Sequence, residues 1–161
     1  MKLSNSLVGI VYSIAGFGSL IAVTFLSTFL NKKDAFILMN ISIATIPLVI
    51  MVSGIVENWI FFGICYSILS GLITIASVSI TTIQQQESTV YNIGKILSSS
   101  FVIATIFATF GGILAAYFNW LLNPRLSLVI LGLLSSLLVI LIKSYEKKLT
   151  KKRTARFIKE D

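Results

Sequence analysis

From Ile96 to about Trp120 the chain carries no charged residue. At ~1.5 Å of rise per residue a helix of that length reaches across the ~30 Å hydrocarbon layer of a bilayer. Hydrocarbon offers no partner to backbone N–H and C=O groups, so a single crossing segment must satisfy them internally as a helix. That requirement governs the fold. The run is entered from a polar stretch, Gln84-Gln85-Gln86-Glu87-Ser88-Thr89-Val90-Tyr91-Asn92-Ile93-Gly94-Lys95. Inside it Ala104, Ala108, Gly112 and Ala116 recur four apart, which on a helix makes one ridge of small side chains. Lipid tails give no reason for such a ridge, whereas a closely packed helix does. The ridge therefore predicts a neighbouring helix, and a leucine at Gly112 is expected to overpack it.

The rest of the chain repeats the pattern. Apolar spans over about 7–30, 35–53, 59–83, 97–122 and 125–142 predict an all-α fold, a polytopic bundle of five transmembrane helices, followed by a basic tail over 144–161. The first span pairs Gly9 with Ser13, Ala15 with Ser19 and Gly18 with Ala22, each four apart, and so also reads as tightly packed. Asn31-Lys32-Lys33-Asp34 leaves room only for a tight hairpin. In the second span Pro47 removes a backbone donor and is expected to bend the helix, which Gly54 can close. Asn123 before Pro124 reads as a cap followed by proline at the first helical position. In the third span Ser70, Thr74, Ser77, Thr81 and Gln84 share one face. That stripe either lines a water-filled path, with Thr74, Ser77 and Thr81 as its candidate residues, or hydrogen-bonds to a neighbour and to its own backbone.

Composition excludes most other classes. Hydrophobic residues are 56% of the chain and charged ones 12%, against about 25% charge in a soluble domain. Eight of the 13 basic residues, Lys143 to Lys159, crowd the last 19 residues. We read that tail as lying near anionic lipid rather than as a nucleic-acid arm. There is no histidine, and Cys65 is the one cysteine. Cys/His metal sites and histidine-based triads are therefore excluded, and no metal, cofactor or enzyme activity is expected. The apolar run near the N-terminus is too long for the core of a signal peptide and reads as a span. No Asp, Glu, Lys or Arg lies deep in any span, so the usual intramembrane candidate for proton coupling is missing.

Orientation follows from the cations. With five alternating spans, Lys32, Lys33, Lys95 and the tail share one side, which collects eleven of the 13 basic residues. That side is expected to be cytoplasmic, with the N-terminus outside and Trp59 and Trp120 at the outer interface. A multi-pass protein of a bacterial cell membrane is the expectation.

In the order of spans and loops, residues 6–145 resemble the last five membrane helices of a major facilitator superfamily transporter, nearest to the drug, macrolide and siderophore exporter branch. Gln85, Gly94 and Lys95 stand where that branch has Gln and, about eight residues on, Gly-Arg; Thr89 stands where it has proline. Phe110-Gly111-Gly112-Ile113-Leu114-Ala115-Ala116 is similar to the small-residue turn of its following helix. The first span resembles its glycine-rich eighth helix, and Asn31-Lys32-Lys33 keeps the basic end of the Gly-x-x-x-Asp-Arg-x-Gly-Arg-Arg/Lys loop without its glycines or aspartate. The resemblance implies export of a small amphipathic or hydrophobic compound by alternating access. It also implies that the chain is the C-terminal part of a truncated or split transporter, inactive without the N-terminal half or a second copy. The alternative is an intact small membrane protein, immunity-like or an accessory subunit, acting through helix–helix contacts. Tags at the N-terminus and at Asp161 should report opposite sides of the membrane; the same side for both would mean that the spans are miscounted.

Overall fold

The computed structural model describes residues 5–29, 32–89 and 91–160, with side chains over 6–27, 34–89 and 91–145. Among these residues it is entirely helical between short connections: α1 (Asn5–Phe29), α2 (Lys32–Ile55), α3 (Trp59–Glu87), α4 (Ile93–Leu121) and α5 (Pro124–Glu160). All five are long and apolar enough to cross a membrane. The chain is a multi-pass membrane protein.

Local chemistry accounts for the helix starts. Asn58 lies in extended backbone (φ −81°, ψ 130°), and its Oδ1 accepts the Ile60 N–H at 3.0 Å, so one open donor of α3 is satisfied. Pro124 opens α5, where its missing N–H costs nothing. α2 runs through Pro47 without interruption. Gly54 does not close α2, which continues to Ile55; it is buried against α5 instead. A Cβ there would lie 2.8 Å from Val129 Cγ2 and 2.9 Å from the Arg125 carbonyl oxygen.

The helices form a row rather than a ring. α1 lies along α3, α3 along α2, and α2 along α5, while α4 touches only parts of α3 and α5. Small residues make these approaches possible. The buried residues of α3 are Gly63, Gly71, Ala76 and Ser79. A Cβ on Gly18 would collide with the backbone carbonyl and hydroxyl of Ser67, and one on Gly71 would meet the Gly18 carbonyl oxygen at 3.1 Å. A Cβ on Gly132 would collide with Met51 and lie 3.1 Å from the Pro47 carbonyl oxygen. Across the α1–α3 seam the Ser19 and Ser70 hydroxyls are 2.7 Å apart and hydrogen-bonded.

α4 departs from the expectation. None of its residues is buried, and nothing lies within 4 Å of a Cβ built on Gly111 or Gly112. Ala104, Ala108 and Gly112 are exposed. Overpacking therefore belongs at Gly18, not Gly112. Gly18→Leu should lower stability in a micellar unfolding titration by about 1–3 kcal/mol, and Gly112→Leu should leave it nearly unchanged. Equal costs at the two positions would contradict this packing.

Candidate functional site

The polar residues of α3 divide along its length. Near its middle Ser70 bonds to Ser19, and Thr74, half-buried, donates its hydroxyl to the Ser70 carbonyl at 2.9 Å. One to three turns further on the face opens. Ser77, Thr81 and Gln85 are exposed, and with Val78 and Thr82 they line a groove of about 330 Å³. Thr81 donates its hydroxyl to the Ser77 carbonyl and Thr82 to the Val78 carbonyl, each at 2.9 Å. Both bonds are of the i to i−4 kind, which releases threonine from its need for water inside a membrane helix. Of the three expected path residues, the groove brings together Ser77 and Thr81, whereas Thr74 belongs to the packed half of the helix.

Gln84 points the other way. Its Nε2 donates to Ser100 Oγ at 2.7 Å, which ties the last turns of α3 to the second turn of α4. At its far end α4 is held again: Ser127, on α5, donates its hydroxyl to the carbonyls of Phe118 (2.9 Å) and Asn123 (3.2 Å). Between these two ties residues 101–114 of α4 are all exposed. Gly94 and Lys95 are exposed in its first turn, with open space around Gly94. Of the expected ridge, Ala116 borders α5. It lines a groove of about 380 Å³ at the α4–α5 corner with Pro124 and Ser127.

Gly18 and Ala22, singled out for packing, lie in the α1–α3 seam, and Ala22 is buried. Beside them Ile21, Phe25, Ile68 and Ile75 wall an apolar groove of about 350 Å³. Glu57, between α2 and α3, accepts a 2.7 Å ion-paired hydrogen bond from Arg125 Nη1. Both side chains are exposed, so the pair is worth about 0–1 kcal/mol. No group of three or more His, Cys, Asp or Glu residues that could hold a metal occurs among the described residues.

Sequence reasoning missed Thr82 and Val78. The signal was present, since Thr82 follows Val78 by one turn beside Ser77 and Thr81, but it lies off the five-residue stripe. No protein-family model matches the chain, and neither a curated protein nor a solved structure matches it. The Gln84–Ser100 tie offers a direct check. In a Cys65→Ala background, Gln84→Cys with Ser100→Cys should join through a short bifunctional thiol reagent. Gln84→Cys with Phe107→Cys, about two turns further along α4, should not.

Proposed function

We propose that these five helices belong to the C-terminal half of a major facilitator-type exporter of a small amphipathic or hydrophobic compound, seated in a bacterial cell membrane with the basic tail cytoplasmic. One observation carries the reading. α3 is flanked by α1 and α2, yet its Ser77–Thr81–Gln85 face is left as an open polar groove. Thr81 and Thr82 satisfy their hydroxyls within the helix, but the exposed Ser77 hydroxyl and Gln85 amide on the same face are costly against hydrocarbon and suit a face that borders a water-filled cavity. Alternating access places such a cavity between two bundles that rock against each other. Five helices supply one of its walls, and an N-terminal half or a second copy supplies the other. The resemblance of residues 6–145 to the last five helices of such transporters points the same way.

A second reading, an accessory or immunity-like protein that works by binding a partner's helix, is favoured by the clear stretch of α4 between its two ties. Efflux separates the two. Expressed alone in a drug-sensitive host, the chain should confer no efflux. Co-expression with the first seven spans of a matching transporter should restore part of it, and Thr81→Leu should then reduce it. Robust efflux by the isolated chain would sink the half-transporter reading and require a functional homo-oligomer.

A further inference from the structure

The direction in which the bundle crosses the membrane depends on a narrow part of the chain. With five spans, the α1–α2 and α3–α4 connections share the side of the C-terminal basic run, and the α2–α3 and α4–α5 connections share the other. At that other end Arg125, in the first turn of α5, donates to Glu57 of the α2–α3 connection at 2.7 Å. Orientation responds to Lys and Arg near the ends of spans and hardly at all to Asp and Glu. Outside the C-terminal run the count is almost level. Lys32, Lys33 and Lys95 stand on one side, Lys2 and Arg125 on the other. Around the first span, which usually dominates, the difference is a single lysine. Hydrocarbon has no direction of its own, so apolar spans with level flanks insert either way. The run from Lys143 to Lys159 changes the balance from three against two to eleven against two. α5 continues as a helix to Glu160, and every cation of the run falls within the ~15–20 residues past a span's end over which the bias acts.

From this imbalance we propose that the basic run is the orientation determinant of the whole bundle, and that without its charges the same five helices insert in both directions. The proposal rests on the reading that the tail is cytoplasmic, and it names what holds the tail there. It is independent of what the α3 groove does.

The test uses the full chain in a bacterial host, in a Cys65→Ala background with one cysteine at either end of the bundle. Asn123→Cys marks the α4–α5 connection and Tyr91→Cys the α3–α4 connection, and both positions are exposed. A membrane-impermeant sulfonated maleimide reports the fraction facing out in intact cells, against a permeant maleimide after lysis. With the run intact, Asn123→Cys should label at least about tenfold more than Tyr91→Cys. With all eight cations of the run changed to glutamine, the two should label within about twofold of each other. On that neutral run, Lys2→Gln with Arg125→Gln should restore a single orientation, because the count becomes three against none. Lys32→Gln with Lys33→Gln should instead turn the excess toward Tyr91→Cys. The restored chain carries the same neutral run and so guards against a simple loss of folding. An orientation that stays single on the neutral run would overturn the proposal, as would paired substitutions that fail to move it with the count. Mixed labelling with the run intact would do the same. A chain that labels mainly at Tyr91→Cys with the run intact would tell against the cytoplasmic tail itself, the reading on which the proposal rests.

Discussion

The approach of α1 to α3 at Gly18, Ser67 and Gly71 is the contact on which the rest of the arrangement depends. In a bilayer, apolar side chains gain little by leaving lipid for protein, so association must come from close van der Waals packing and hydrogen bonds between helices. Gly18 provides the first by removing the side chain that would strike the Ser67 carbonyl, and the Ser19–Ser70 bond provides the second beside it. α2 and α5 use the same device, with Gly54 and Gly132 set against the opposite helix. α3 then holds both α1 and α2 and carries the open groove at its end. A row built this way has two broad faces and almost no interior, which is why so few side chains in it are buried. Ser79 is a cost of that construction: its hydroxyl is buried without a partner among the described residues.

Why α4 escapes the row follows from the same physics. A ridge of small residues lets a backbone approach, but association also needs a complementary surface in register. Gly18 has one, because Ser67 and Gly71 on α3 are themselves small and four apart. For α4 the sequence-adjacent candidates are α3 and α5, and the glycine of α5, Gly132, is already covered by Met51 of α2. What remains is a helix tethered at Ser100 and Phe118, with Phe101, Phe107 and Phe110 all exposed between. Small-residue spacing is therefore a condition for packing and not a sufficient cause of it.

The same distinction separates what was legible in the sequence from what was not. Five helices could be read because hydrocarbon leaves the backbone no other choice. Their ends were harder: α3 was expected to stop near Ile83 and runs to Glu87, because polar side chains need not end a helix once it leaves the apolar layer. Gly54 looked like a terminator and is a contact, since glycine serves either purpose and only the neighbour decides. The stripe Ser70–Gln84 was open between packing and a path: Ser70 packs, bonding to Ser19, and Thr81 lines an exposed groove. Periodicity shows that a helix has a special face; it does not say which helix lies against it. That choice depends on fitting several surfaces at once, and no single span encodes it.

The tail shows how a helical continuation changes an electrostatic argument. The apolar part of α5 ends at Tyr145, yet the helix goes on to Glu160. Along its axis Lys147 and Lys148 then lie roughly 3–5 Å past Tyr145, and Lys159 roughly 21 Å past it, at 1.5 Å per residue. At physiological salt a surface potential decays over about 8 Å. Attraction to anionic headgroups thus falls mainly on the first turn beyond the span, and the more distant cations of a straight helix gain little from the membrane. On these distances, lipid attraction would account for the near end of the basic run and not for its length. Orientation rules, by contrast, count Lys and Arg within about 15–20 residues of a span's end whatever their height above the surface. The whole run over 143–159 satisfies that count, so its length is better matched to fixing the direction of α5 than to holding the tail on lipid.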